Sequence, residues 1–371
     1  MDASGLLELL EGMARLPTAP YHEGKVIEFA AAWCAERGID AQSDGHGNVI
    51  LRTPAAEDGE RPALAFAAHM DHPGFEITDT SGPLVEAHWM GGVEPEWFPG
   101  AKVVVFGDPD VEGLCVRTEL HPKRRRVETM FLDLEGEVRV GDFGSWNVMT
   151  WSLEGPMVHT RAADDLVGCS AVLAALGTLV ENGEDVAAIG LLTRAEEVGF
   201  HGALAAMETG TLPAGTPVVA LECSKALPAA RQGAGPVVRV GDKKGVYDPG
   251  LCLFLRDVAE SIADRYTDFT YQRALMDGGV CEATMFGLYG HPSTGLAFPL
   301  GNYHNRADDG RYIAEENIHI GDFFGGVTLM VEAARLWPTH GATALDALKS
   351  KLLATSKQGR TRLISGSDLP T

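Results

Sequence analysis

Three apolar runs of strand length, at 64–68, 188–193 and 217–221, set the terms on which this chain can fold. They are apolar almost throughout instead of alternating, as strands covered on both faces are. Stretches with apolar residues at helical spacing lie around and between them, at 5–37, 166–180 and 251–263. Strands alternating with helices build a mostly parallel sheet flanked by helices. The expected fold is α/β, a three-layer α/β/α domain.

Taken in order, Leu6, Leu7, Leu10 and Met13, then Val26, Ile27, Phe29, Ala30 and Trp33, read as two helices. They are broken between Pro17 and Pro20 and ended by Gly38. Two short strands follow, around 39–42 and 48–52, joined by the turn Asp44-Gly45-His46-Gly47. From Phe75 to Val158 the texture changes to short alternating runs separated by Gly, Pro and Asp. That pattern predicts an all-β domain inserted into the α/β chain. The α/β domain is then discontinuous, 1–74 and 159–340, with the insert at 75–158 and a C-terminal helix and tail at 341–371. Further helices are expected at 202–208 and 315–336. The last ~15 residues are polar and expected to be disordered.

Composition bears on partners and compartment. A net charge of −22 over 371 residues argues against nucleic-acid phosphates and anionic membranes, both of which need a basic face. The one basic cluster, Lys123-Arg124-Arg125-Arg126, follows Pro122 and reads as an exposed hairpin loop. The first residues lack a basic region followed by an apolar run, and no apolar stretch approaches the ~20 residues of a membrane helix. Six scattered cysteines without a C-x-x-C pair fit free thiols. The expected location is the cytoplasm.

The chemistry collects where the strands stop. The first apolar strand runs into His69, the second into Glu196 and Glu197, the third into Glu222. Parallel sheets hold their ligands at these C-terminal ends. His69 and Asp71, two apart on an extended backbone, point to the same side, and a carboxylate beside an imidazole orients the ring. Asp164 and Asp165 open a helix, where one Asp suffices as a cap. With His304 from a late loop, the set is His, Asp, Glu, Glu, His. Nitrogen and carboxylate donors without Cys suit two hydrolytic metal ions, zinc first, with cobalt or manganese as alternatives. Each motif alone has a bland reading, an acidic loop or a helix cap; it is their coincidence at the strand ends that points to a site.

The order and local sequences resemble the di-zinc aminopeptidases of the tetrahedral, deblocking and glutamyl aminopeptidase type, over roughly residues 1–335. The motifs that carry this are Ala68-His69-Met70-Asp71, Gly91-Gly92-Val93 with Gly100-Ala101-Lys102-Val103 in the insert, Asp164-Asp165-Leu166-Val167-Gly168, Glu196-Glu197-Val198-Gly199 and the late His304. The resemblance implies an aminopeptidase acting on peptides with two metal ions per subunit. It implies that Asp164 bridges the metals, that His69 and Glu222 complete one and that Glu197 and His304 complete the other. It assigns Glu196 as general base on the bridging water and Asp71 as the partner of His69. It further implies a cis peptide between Asp164 and Asp165, and a homo-oligomer as large as a dodecamer.

Departures keep other readings open. Leu166 stands where the family has Arg, His72-Pro73 where it has Glu, and Glu222 where it has Asp, as in related carboxypeptidases and deacylases. His304 lies between Tyr303 and Asn305 instead of Arg and Ser neighbours. A metal-dependent deacylase or carboxypeptidase acting on N-acyl amino acids is the alternative enzyme. A non-catalytic assembly protein that kept the fold is the alternative of another class. His72, His88, His121, His159, His201, His291 and His319 lack a ligand-like context. Trp89, Trp97, Phe98 and Trp146 read as β-domain core or subunit contacts.

Overall fold

The computed structural model describes residues 1–364 apart from 58, 60, 62, 124 and 125. Helices α1 (Ala3–Ala14) and α2 (Gly24–Ala35) lead into strands β1 (Asp40–Ser43), β2 (Val49–Arg52) and β3 (Leu64–His69). Six strands then leave the sheet: β4 (Gly74–Asp79), β5 (Val85–Met90), β6 (Lys102–Val105), β7 (Val111–Leu120), β8 (Val127–Leu134) and β9 (Phe143–Trp146). They close into a barrel in the order β4-β5-β8-β7-β6-β9. After β10 (Ser152–Glu154) and β11 (Met157–Thr160) come helix α3 (Ala163–Glu181), β12 (Ala188–Thr193), α4 (His201–Thr209), β13 (Val218–Lys225) and β14 (Val237–Arg239). The chain continues through α5 (Pro249–Arg265), β15 (Gln272–Ala274), α6 (Glu282–Leu288), β16 (Ser293–Leu300) and β17 (Glu316–His319). It closes with α7 (Ile320–His340) and α8 (Ala344–Ile364).

The central sheet has eight strands in the order β1-β2-β12-β3-β13-β16-β14-β15. Its centre is parallel, β12 on β3, β3 on β13 and β13 on β16, while β2 and β14 join antiparallel. The period of two explains the layers. Leu64, Phe66 and Ala68 of β3 pack into a core with α1, α2, α3, α5 and α7. Ala65 and Ala67 pack against α4 and α6 on the other face. Both faces are therefore covered, as the unbroken apolar runs require.

α3 sits deepest. It is long and apolar enough to cross a membrane by composition, the one such helix among the described residues, yet it is buried inside the fold. Its Gly177 lets Trp33 of α2 approach; a Cβ there would stand 2.4 Å from the ring. The barrel has a core of its own, in which Trp89, Phe98 and Trp146 meet with ring centroids 4.7 to 5.1 Å apart.

The helix expected at 315–336 begins later. Residues Glu316–His319 form β17, antiparallel to β11, and α7 starts at Ile320. Glu316 and Ile318 point inward while Asn317 and His319 do not, the alternation of a strand. The side chain of His319 then accepts from the Gly321 amide and caps α7. In the tail, α8 runs to Ile364; the final residues, 365–371, lie outside the described ones.

Candidate metal centre

The sheet register explains why distant residues meet. Thr193 of β12 pairs with His69, and Ala220 of β13 pairs with Ala67, which sets Glu222 level with His69. β12 ends there, and Arg194-Ala195 turn the chain so that Glu196 and Glu197 enter the same edge. Ala195 adopts φ 52°, a conformation uncommon outside glycine. It is held by buried Glu23, which accepts from the Ala195 amide at 3.0 Å and pairs with Arg194 at 2.7 Å.

Two groups of ligand-type atoms form, His69 with Glu196 and Glu222, and Asp164 with Glu197 and His304; within each, all lie within 4.8 Å of one another. Asp164 spans them. One of its oxygens is 3.3 Å from His69 Nε2 and the other 3.6 Å from His304 Nε2. Glu197 lies 3.2 Å from His304 Nε2, and Glu222 lies 3.8 Å from His69 Nε2. All five residues named as metal ligands from the sequence therefore converge, and Glu196 joins them.

The tautomers follow from the far side of each ring. His69 Nδ1 faces the Asp71 carbonyl at 3.1 Å and His304 Nδ1 faces the Gly92 carbonyl at 2.9 Å. A carbonyl only accepts, so both Nδ1 atoms donate and both Nε2 atoms are the ones left to face the pocket. Buried His69 Nε2, Asp164 Oδ1 and Glu197 Oε1 have no hydrogen-bond partner. Buried polar atoms are ordinarily paired, so this crowd of acceptors fits a cation.

The electrostatics agree. Burial alone would lower the pKa of His69, but Glu196, Asp164, Asp71 and Glu222 raise it well above the usual imidazole value. His304 is raised likewise, chiefly by Glu197 and Asp164. Burial pushes the Glu222 carboxyl up to about 7, with Asp164 adding to it. Glu196 is also raised well above the carboxylate range, by burial first and then by Glu222, Glu197 and Glu282 against the opposing pull of His69. The pocket asks for positive charge.

Asp71 does more than face His69. Its carboxylate lies 3.6 Å from His69 Nδ1, and its two oxygens accept from the Glu196 amide at 2.9 Å and the Glu197 amide at 3.0 Å. Asp165 turns back to accept from the Gly168 amide at 3.2 Å, a helix cap; a Cβ at Gly168 would stand 2.2 Å from that carboxylate. The Asp164–Asp165 peptide is cis.

Sequence reasoning missed three contributors. Glu316, fully buried on β17, accepts from the Asp164 amide at 3.0 Å and the His304 amide at 2.8 Å. His72 bridges the Asp164 carbonyl at 2.6 Å and the Asn305 side chain at 2.8 Å. Arg239, 2% exposed, lines the pocket beside Glu222. The adjacency of His72 to Asp71 was the only hint; nothing local marked the others. His88, His121 and His159 stand outside both ligand groups.

The centre opens into a cavity of about 560 Å3 lined by Arg239, Lys225, Arg306, Tyr303 and Met276, and by Arg126 from the barrel. Arg126 belongs to the basic hairpin between β7 and β8, whose Arg124 and Arg125 lie outside the described residues. The barrel therefore contributes to the site twice, through Gly92 and Arg126.

The family model for M42 glutamyl aminopeptidase matches residues 47–309. Glutamyl aminopeptidase of Lactococcus lactis subsp. cremoris (strain MG1363) is 24% identical over 281 residues, 68% of this chain and 78% of that protein. The TET aminopeptidase of the marine sediment archaeon Thaumarchaeota archaeon SCGC AB-539-E09 superposes with a TM-score of 0.75 at 21% identity, covering 90% of this chain and 97% of that one. The TET1 peptidase of Pyrococcus horikoshii, which assembles into a tetrahedron or a large octahedral shell, gives 0.72 at 23% identity, covering 89% and 99%. Those likenesses carry the fold, and the match spans the strand ends from β3 to β16 together with His304. The chain belongs to the M42 glutamyl aminopeptidase family.

Proposed function

We propose that this protein is a two-metal aminopeptidase that removes N-terminal residues from peptides. The observation that carries this is Asp164, whose two oxygens face two imidazoles in two separate clusters of buried ligand atoms. His69, Asp164 and Glu222 would hold one ion, and Asp164, Glu197 and His304 the other. Zinc is the first choice for this donor set, with cobalt or manganese as alternatives. Bound there, the ions would supply Lewis-acid polarisation of the scissile carbonyl and of the attacking water.

The side chains do the rest. Glu196 takes the proton of the attacking water and hands it to the departing amine, work that suits a carboxyl whose affinity for protons is raised. Asp71 fixes the backbone of both glutamates, so that one can transfer protons while its neighbour stays a ligand. Glu316 and His72 fix Asp164 and His304 from behind. The cavity wall beside Glu222 is cationic. Arg239 there gives hydrogen bonds to Ser224 and the Met276 carbonyl, leaves Nε without a partner, and has no ion-pair partner among the described residues. That wall suits an acidic N-terminal residue, as in the name of the Lactococcus relative.

Six buried free cysteines support a reducing, cytoplasmic location, and the assemblies of the Pyrococcus neighbour support a homo-oligomer. The test is a panel of amino-acid amides, peptides and N-acyl amino acids with the metal-loaded protein. Turnover of free-amine substrates alone, Glu ahead of Leu, is the expected result. Turnover confined to N-acyl substrates would move the protein to the deacylases. No turnover and no bound divalent ion would leave the assembly-protein reading.

A further inference from the structure

One donor that lines the cavity goes unused by the chemistry above, the phenol of Tyr303. It stands on the turn between β16 and β17, where Asn302, His304 and Asn305 adopt φ of 54°, 54° and 61°. Residues other than glycine persist in that region only where their surroundings fix them. Here Asn302 exchanges hydrogen bonds with Asp308, and its side-chain amide reaches the Glu315 carbonyl at 2.7 Å. Asn305 donates to the carbonyls of Arg161 and Ala314, and Glu316 holds the His304 amide. The turn therefore presents Tyr303 and His304 as a fixed pair. Their rings stack with centroids 3.8 Å apart and planes 26° apart, and the Arg306 guanidinium carbon lies 5.3 Å from the Tyr303 ring centroid.

The stack needs the ring alone and leaves the hydroxyl with no structural task. The Tyr303 carbonyl accepts from Arg306 Nε at 3.1 Å, while the hydroxyl makes no hydrogen bond among the described residues. The charges that act most strongly on it are those of Asp164, Glu197, Glu222 and Glu196, which belong to both groups of ligand atoms. The phenol thus looks into the centre without touching any of its carboxylates. Other donors on the cavity wall are engaged. Lys225 pairs with Asp308, Arg306 pairs with Glu94, and Arg239 gives hydrogen bonds to Ser224 and the Met276 carbonyl. A phenol is protonated at neutral pH, so it arrives as a donor.

We propose that Tyr303 is a further catalytic residue, its Oη–H donating to the oxygen of the scissile carbonyl as negative charge develops there. This rests on the aminopeptidase reading above. Water adds to the carbonyl carbon as Glu196 takes its proton, and the C=O π pair moves onto oxygen. Tyr303 gives that oxygen a hydrogen bond and keeps its own proton. The pair returns as the C–N bond breaks, and the amine leaves with the proton from Glu196. A donor aimed at charge that forms only in the transition state raises kcat and leaves KM alone.

The experiment compares wild type with Tyr303→Phe, both as full metal-loaded chains. It uses steady-state kinetics on amino-acid amides, elemental analysis, thermal melts and inhibition by a phosphinic dipeptide analogue. The phosphinic group is tetrahedral and anionic and stands in for the addition intermediate. Tyr303→Phe keeps the stacked ring and removes only the donor. The expected result is kcat lower by on the order of 10² with KM within about threefold. The analogue should bind more weakly by the factor lost from kcat/KM, with metal content and melting temperature as in wild type. Unchanged kcat, or a raised KM alone, overturns the proposal and leaves the aminopeptidase reading standing. Metal lost from Tyr303→Phe overturns it too, by making the residue a support of the centre. A wild type that turns over no free-amine substrate removes the reading and the proposal together.

Discussion

At Glu196 and Glu197 two adjacent carboxyls of the same chemistry receive different surroundings. Glu197 faces His304, while Glu196 faces His69 and Glu222 across the pocket. Glu196→Gln should therefore keep its metal and lower turnover by ~10²–10⁴, whereas Glu197→Ala should lose metal as well. Metal analysis beside steady-state kinetics separates the two, and loss of metal from Glu196→Gln would make Glu196 a ligand instead of a base. A second expectation concerns Glu282, fully buried at the start of α6 with Thr193 donating to it at 2.7 Å. Burial pushes its carboxyl up to about 7. A folded pKa above the unfolded one means stability present in acid and lost as pH rises from about 4.5 through 7. Glu282→Gln should thus be more stable than wild type at pH 8, by on the order of 3 kcal/mol of unfolding free energy, and come close to it near pH 5. Thermal melts at the two pH values check this. The ligands were legible because each ends an apolar strand or opens a helix. Glu316 and His72 were not, since each meets Asp164, 152 and 92 positions away in the chain, through its backbone amide or carbonyl and not through its side chain.

Elements place these residues. Three parallel strands in register deliver His69, the Glu pair and Glu222 to one edge, and β17 delivers Glu316 behind them. The three central strands could be read from unbroken apolar runs, and the barrel strands from alternation. β17 could not, because four residues ahead of a long amphipathic helix carry too little pattern to stand apart from it. Barrel closure was equally hidden, as it depends on pairing between β6 and β9, some 40 residues apart. Helix packing gives a clean test. Gly177→Ala would place a methyl 2.4 Å from Trp33, so α2 must shift away from α3. A loss of about 1–3 kcal/mol is expected, read by denaturant unfolding, with turnover per folded molecule retained.

At the scale of the molecule, a strongly acidic chain gathers six carboxyls and three imidazoles, His69, His72 and His304, at one centre and leaves its ligand atoms short of positive charge. Chelation should therefore lower the melting temperature as well as stop turnover. Metal affinity should fall as pH drops, because His69 and His304 bind only with Nε2 deprotonated. The barrel and the sheet share the site through Gly92 and Arg126, which makes the inserted strands part of the machinery, beyond any role in assembly. The most direct test of the central claim is the number of divalent ions per chain in wild type and in Asp164→Ala, by elemental analysis after dialysis. Two ions falling to none or one is the predicted result. Two ions retained in Asp164→Ala, or none in wild type, would contradict a centre bridged by Asp164.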